Sequence, residues 1–398
     1  MAQKRSYILA VNCGSSSIKF ALFDEAGLEC PYRGQISGIG SGEAVFRVTD
    51  AKGKYYEVEM ESCTDSRPAI HELIVWLNSH YTKYPIKAIG HRIVQGGPRH
   101  RSPELITDVL MTELREVINL APNHLPSQLA AIEILKNAFP QALQVACYDT
   151  CFHHTIPKFI RNYPLPEEYR DKDLIKYGFH GLSYEYVLGR LKKDVMHIRR
   201  KKIIIAHLGN GASMVAIKHG KSMDTTMGLT PMGGLLMGTR SGDIDPGVPI
   251  FMLKQWNLTA DDLEEIFGEK SGLKAIAGTS DMQQLLALEK TDTKAVEAIN
   301  SFVYNAKKNI GALAAALGGI DQLVFTGGIG ENAATIRERV CDQLKFLGLK
   351  INKHHNRHNR NDIAAASSKV KIKVIPTNEE SMVACHTQQL INAKIKKP

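Results

Sequence analysis

The chain is 398 residues long, 43% hydrophobic and 23% charged, with a formal net charge of +9. That length exceeds one compact core and suits two. The sequence excludes a membrane span, because no apolar run approaches the roughly 20 residues a bilayer requires.

The basic start Met1–Arg5 leads into apolar Tyr7–Val11, which is too short for a signal-peptide core and is cut off by Asn12. A cytoplasmic protein is therefore expected. Seven cysteines scattered from Cys13 to Cys385 form no disulfide framework. The basic residues are spread without a Lys/Arg tract interleaved with aromatics, which favours small anionic substrates over nucleic acid.

Ile8–Val11 reads as a strand, Asn12–Ser17 as a small-residue turn, and Ile18–Phe23 as a second strand ending at the turn Asp24–Gly27. Ser102-Pro103 supplies an N-cap and first helical residue, and Pro122 lies just past the expected helix end. Leu143–Tyr148 is a further strand. At Ile203 the opening pattern returns: strand Ile203–Ala206, turn His207–Ser213, strand Met214–Lys218 and hairpin turn His219–Lys221. The chain is thus a duplication. Ala306–Leu317 reads as an Ala-rich helix stopped by Gly318-Gly319, followed by strand Asp321–Phe325. Asn352–Asn361, basic and without periodicity, reads as a surface loop, and Val370–Ile375 as the last strand. Strands alternating with helices predict a largely parallel, doubly wound sheet in each half.

Ligands of open α/β sheets bind beyond the carboxyl ends of strands. The polar residues there are Asn12, His91-Arg92, Asp149, His207, Thr326-Gly327-Gly328 and Asn378-Glu379-Glu380. Three small-residue turns have backbone N–H groups able to hold phosphate: Gly14–Ser17, Gly209-Asn210-Gly211 and Gly327–Asn332. Gly238–Gly247 is a glycine-rich loop with Arg240, the residue type that neutralises transferring phosphoryl groups; Asp243 and Asp245 would alternatively make it a structural turn. Gly220-Lys221-Ser222 lacks the upstream glycine of a P-loop and reads as a hairpin, and Cys147, Cys151, His153 and His154 lack a second ligand pair for zinc. His354-His355 and His358 could take nickel only adventitiously.

Val11–Phe20, with Asn12, Gly14 and Lys19, resembles the first signature of the acetate kinase family, and Ile89–Gly97 resembles the second. Tyr148-Asp149-Thr150, Tyr177–Gly181, His207–Gly211, Gly238–Pro246, Thr326–Asn332 and Pro376–Glu380 follow in family order. The resemblance implies two duplicated actin-like (ribonuclease H-like) domains with a nucleotide cleft between them. The expected division is 1–150, 151–380, and a helix at 381–398 packing back on the first domain.

Residue by residue, it implies that Asn12 and Glu379 hold Mg²⁺, with Mn²⁺ as a substitute. Lys19, His207, Leu208, Gly209, Asn210, Gly211, Asp281, Met282, Gln283, Gly328, Ile329, Gly330, Glu331 and Asn332 would contact ATP or ADP. Arg92 would bind the acyl carboxylate, with Val94, Asn123, Phe179 and Pro231 around the methyl group. His180 and Arg240 would stabilise the transferring phosphoryl group, and Asp149 would be the catalytic acid. A carboxylate nucleophile is already ionised at neutral pH, so Asp149 suits orienting Arg, metal or water better than abstracting a proton.

The implied reaction is reversible in-line transfer between ATP and acetate, giving acetyl phosphate and ADP, in a homodimer without membrane or nucleic-acid partners. The family usually has His at Gln95, Leu at Asn123, Glu at Gly233 and Arg at Gln283. Alternatives are a propionate or butyrate kinase, or an actin- or Hsp70-like ATP switch.

Overall fold

A computed structural model describes residues 6–14, 16–60, 63–80, 85–170 and 172–395. Ser15 of the first phosphate turn and the basic start Met1–Arg5 lie outside the described residues. Two compact units emerge, Met1–Cys151 with Asn378–Pro398, and Phe152–Thr377. Glu379 and Glu380 therefore belong to the first.

The first unit contains β1 (Tyr7–Cys13), β2 (Ser17–Asp24), β3 (Tyr32–Ser37), β4 (Ala44–Asp50), β5 (Tyr55–Met60), β6 (Ile86–Ile93), β7 (Glu104–Leu105) and β8 (Leu143–Tyr148). They form one sheet in the order β5-β4-β3-β2-β1-β6-β8-β7. The second unit contains β9 (Ile203–Leu208), β10 (Ala212–Lys218), β11 (Lys221–Thr225), β12 (Gln322–Thr326) and β13 (Lys371–Val374), ordered β11-β10-β9-β12-β13. The run β3-β2-β1-β6-β8 therefore has the order of the whole second sheet.

In both, the first three strands are antiparallel and the last two join in parallel. The duplication read from the sequence is a duplication of topology. The sheets are mixed rather than largely parallel, because short hairpin turns join β1 to β2 and β9 to β10 to β11, and a short connection permits only antiparallel pairing.

Alternation along β1 divides the first core. Leu9, Val11 and Cys13 pack with Ala69, Ile70, Leu73 and Trp76 of the helix Ser66–His80 and with Ala131 and Leu135 of the helix Leu125–Ala138. The opposite face is covered by the helix Glu379–Ile395. A Cβ on Gly90 would stand 2.6 Å from Val383 Cγ1 of that helix, so glycine permits its close approach. In the second unit Ile203, Ile205, Val215 and Ile217 pack on Tyr184, Val187, Leu188 and Leu191 of the helix Gly181–Asp194.

Two local expectations fail. No helix starts at Ser102-Pro103: Glu104–Leu105 is strand β7, and the helix runs Asp108–Glu116 because Thr107 Oγ1 accepts from Leu110 N at 3.1 Å, a stronger N-cap. Asn352–Asn361 is not a plain surface loop, since Asn352 caps a short helix Lys353–Arg357 and Asn356 within it is fully buried. The Ala-rich helix is longer than expected, spanning Thr293–Leu317 from an Asp292 cap to left-handed Gly318.

Candidate active site

In the first unit, residues ending three adjacent strands meet the start of the last helix. Arg92 near the end of β6 is the centre. Its Nε donates to Asp149 Oδ1 and Oδ2 at 3.1 and 3.2 Å, and its Nη2 to Asp149 Oδ2 at 2.6 Å. Asp149 follows β8 directly and its side chain is 1% exposed, so this is a buried, forked charge pair. On the other side Arg92 Nη1 donates to Asn12 Oδ1 at 3.2 Å and meets Glu379 Oε2 at 2.8 Å, while Asn12 Nδ2 donates to Glu379 Oε2 at 3.3 Å.

Burial alone would lower the Arg92 pKa. The charges of Asp149, Glu379 and Glu380 and the bonds to Asp149 outweigh it and push the guanidinium above its ordinary value. Arg92 is thus a permanent cation. Asn12, Arg92, Asp149 and Glu379, singled out separately along the sequence, are one constellation.

Lys19 is the cross-strand partner of Asn12 and is exposed. Val94 is buried, and its N–H donates to Gln128 Oε1 at 3.1 Å. Asn123 is half-buried in the turn before the helix that carries Gln128. His91, between Gly90 and Arg92, is buried with Nε2 2.6 Å from Gln144 Oε1, and burial lowers its pKa to about 4, so it is a neutral support.

In the second unit His180 caps the helix Gly181–Asp194 in the left-handed region, at φ 58°. Its Nδ1 lies 2.8 Å from Ser213 Oγ, and its ring stacks on His207 with centroids 4.3 Å apart. His207 Nδ1 lies 2.8 Å from Ser183 Oγ, which bonds Thr377 Oγ1 at 2.8 Å. A Cβ placed on Gly211 would lie 3.4 Å from His180 Nε2 and 3.7 Å from Arg240 Nη1. The turn Gly209–Gly211, His180 and Arg240 therefore border one space.

Arg240 is aimed by its own loop: Nη1 donates to the Pro231 carbonyl at 3.1 Å, and Gly238 N donates to Asn210 O at 2.9 Å. Asp243 accepts from Gly234 N at 2.6 Å and Asp245 from Gly247 N at 2.6 Å, so those two carboxylates do hold turns, the alternative weighed from sequence. Phe179 and Pro231 are both buried here.

Gly327–Asn332 is a short helix after β12. Gly327 has φ 77°, and a Cβ there would be 2.8 Å from Leu208 O, so glycine lets the two phosphate-type turns approach. A Cβ on Gly209 would likewise be 3.8 Å from Gly328 N. Glu331 is turned inward, accepting from Gly327 N at 2.9 Å and Thr377 N at 3.0 Å, and Asn332 Nδ2 donates to Gly328 O. Asp281 caps the helix Met282–Leu288 by accepting from Gln283 N at 2.8 Å; Met282 is buried and Gln283 exposed.

Sequence reasoning missed Arg337. It is fully buried in the helix Ala334–Asp342 and donates to Gly330 O, Glu331 O, Asn356 Oδ1, Asn356 O and Asn359 Oδ1 at 2.5–2.9 Å. Burial lowers its pKa to about 10, so it remains a cation at neutral pH. It therefore braces the end of the Gly327–Asn332 helix. The signal was its place beside Ile336 and Val340 on an apolar face. Ser183, Ser213 and Thr377, which orient the two histidines, carried no sequence signal of their own.

Residues 7–385 match the sequence profile of the Acetokinase family. The chain belongs to the acetokinase family. An acetate kinase of Rhodopseudomonas palustris (strain TIE-1) is 42% identical over 393 residues, covering 96% of this chain and 98% of that one. A propionate kinase structure from Francisella tularensis subsp. tularensis SCHU S4 is 36% identical with a TM-score of 0.89, covering 96% of this chain and 99% of that one. A Porphyromonas gingivalis acetate kinase structure is also 36% identical, with a TM-score of 0.85 and coverage of 97% and 100%. The acetokinase fold accounts for the two related sheets.

Proposed function

We propose that this acetokinase-family chain is a cytoplasmic ATP:acetate phosphotransferase that makes acetyl phosphate and ADP reversibly. The observation that carries this reading is the Asn12–Arg92–Asp149–Glu379 constellation, a buried cation aimed by one carboxylate and bordered by an amide and a second carboxylate. The chemical problem is repulsion between acetate and the γ-phosphate rather than weak nucleophilicity. Asp149 holds Arg92 by Nε and Nη2, while Nη1 exchanges Glu379 for the acetate carboxylate. His180, held by Ser213, and Arg240, held by the Pro231 carbonyl, donate to the phosphoryl oxygens as charge moves to the leaving group. The turns at Gly209–Gly211 and Gly328–Asn332 present backbone N–H groups to the nucleotide phosphates. An ATP switch would have no use for the forked Arg92.

Asn12 Oδ1 and the Glu379 carboxylate are hard oxygens bordering Arg92 Nη1, and Mg²⁺ needs only one or two such protein ligands beside phosphate and water. The donor set fits, and Mg²⁺ bound there would neutralise phosphoryl oxygens. Mn²⁺ has the same oxygen preference.

A homodimer is part of this reading. The helix Gly247–Trp256 buries no side chain and exposes Ile250, Phe251 and Trp256 by 51%, 55% and 61%, an apolar patch suited to a second copy. No helix among the described residues is long and apolar enough to cross a membrane.

The test is a hydroxylamine trap for acyl phosphate with purified protein, Mg²⁺ and ATP. Acetyl hydroxamate is expected. ATP binding without hydroxamate from acetate, propionate or butyrate would overturn the kinase reading. A propionate preference is the second reading, favoured by the propionate kinase likeness and by Asn123 in place of leucine.

A further inference from the structure

The face of the first sheet that carries Asn12 continues beyond the helix Glu379–Ile395 onto the outer strands, and what it carries there is charge. Cross-strand pairing runs in one row: Asn12 with Lys19, Lys19 with Gln35, Gln35 with Arg47, and Arg47 with Glu57. Arg92 touches the Asn12 end of this row. The neighbouring row pairs Ala21 with Arg33, Arg33 with Thr49, and Thr49 with Tyr55. Above both rows is a groove of about 360 Å³ whose polar lining includes Lys19, Arg33, Gln35, Arg47, Tyr55 and Glu380. Three cations thus stand against two carboxylates, Glu380 in the lining and Glu57 beside Arg47.

Their hydrogen-bonding state decides what the groove can hold. Arg47 is anchored at Nε alone, to Glu57 Oε2 at 2.6 Å and Tyr55 Oη at 3.1 Å. That anchor fixes the plane of the guanidinium and leaves Nη1 and Nη2 without partners among the described residues. Arg33 and Lys19 have no carboxylate partner among the described residues either. A planar fork with both terminal nitrogens free is the geometry that binds a carboxylate or phosphate by two parallel bonds. Arg47 has Glu57 directly across from it, but Arg33 and Lys19 stand opposite only neutral residues, so an anion there would meet two cations without displacing a carboxylate.

We propose that this groove is a second anion site, which takes a small oxyanion, phosphate or carboxylate, on Arg47 and Arg33 with Lys19 at its inner end. Through Lys19 the anion adjoins the catalytic row. If the proposed kinase reading holds, occupancy raises the KM for ATP by neutralising Lys19; binding itself does not depend on that reading.

Titration calorimetry of the full chain with inorganic phosphate and, separately, with succinate tests this in the absence of ATP and acetate. The comparison is between wild type, an Arg33→Gln/Arg47→Gln double variant, and Arg115→Gln, an exposed cation elsewhere. The expected result is that wild type and Arg115→Gln bind alike while the double variant binds at least about tenfold more weakly. Both substituted side chains are exposed on strand faces, so circular dichroism and kcat without added anion should stay at wild-type values. Loss of phosphate binding alone would identify a phosphoryl ligand, and loss of succinate binding alone a carboxylate. Absence of any binding component sensitive to Arg33 and Arg47 would overturn the site. Hydroxamate formation is scored separately, so its failure cannot be mistaken for failure of the anion site.

Discussion

The two units share a strand order and differ in what stands at the strand ends. In the first, β1, β6 and β8 end on Asn12, Arg92 and Asp149, side chains that carry or orient charge. In the second, β9 leads to Gly209–Gly211 and β12 to Gly327-Gly328, small-residue turns whose backbones approach one another closely. The helix that covers each sheet follows the last strand of the other unit: Gly181–Asp194 comes after β8 and packs in the second, Glu379–Ile395 comes after β13 and packs in the first. His180 caps the first of these helices and Glu379 is the opening residue of the second. One scaffold thus yields two kinds of strand end, a cluster of charged and amide side chains in one unit and glycine-rich backbone turns in the other.

The largest effects should fall on the two arginines. Arg92→Ala and Arg240→Ala should each lower kcat/KM by on the order of 10²–10⁴. Arg92→Ala should also raise the acetate KM and lower the melting temperature, since it strands buried Asp149, whereas Arg240→Ala should act on kcat. Equal KM effects in steady-state kinetics would erase the proposed division of labour.

Arg337→Met removes a buried cation from five neutral acceptors, and a loss of about 3–5 kcal/mol is expected in urea unfolding. A loss under about 1 kcal/mol would show that the Gly327–Asn332 turn does not depend on its brace.

Each unit also holds an acid-sensitive histidine, His91 in the first and His153 in the second. His153 Nε2–H donates to Phe179 O and its Nδ1 accepts from Ser222 Oγ, both at 3.0 Å. Burial lowers both pKa values from 6.5 to about 4. Because these bases are held neutral, the unfolded chain takes up protons that the native chain refuses. Stability is lost as pH falls from 6.5 towards 4, about 3 kcal/mol per histidine at the end of that window. His91→Gln and His153→Gln should each flatten that slope in melts between pH 7 and 4; an unchanged slope would mean the ring is protonated when folded.

Asn123→Leu should have the smallest effect, lowering the KM for acetate and propionate by less than about tenfold. Unchanged values for both acids would place Asn123 outside the acyl pocket.

The strand-end residues were legible because each interrupts an apolar run, and burial leaves a polar residue there little use besides turning or binding. Repetition of strand, turn and strand made the duplication visible. The mixed direction of the sheets was missed although the short turns before β2, β10 and β11 were read, because the strand–helix alternation of the rest of the chain was extended to the whole sheet. The Thr293–Leu317 helix was read only from Ala306, although buried Ala295, Ala298, Ile299, Phe302 and Val303 already follow a helical period; Asn300, Ser301 and Asn305 obscured it. Asn352–Asn361 misled because its composition is that of a solvated loop, yet Asn356 is spent on Arg337. A buried arginine and its buried partner looked, one at a time, like surface.

The helix Glu379–Ile395 has a consequence for how the protein is made. Every strand of the first sheet leaves the ribosome before the second unit, but the helix that covers the Asn12 face of that sheet and supplies Glu379 emerges only after that unit is complete. The second unit is continuous in the chain and can close on itself at once. The first must wait with one apolar face, Ile8, Ala10 and Ala21 among it, open to water or to a chaperone. A polypeptide halted anywhere in the second unit therefore has Arg92 paired with Asp149 on one side but lacks the Glu379 carboxylate on the other.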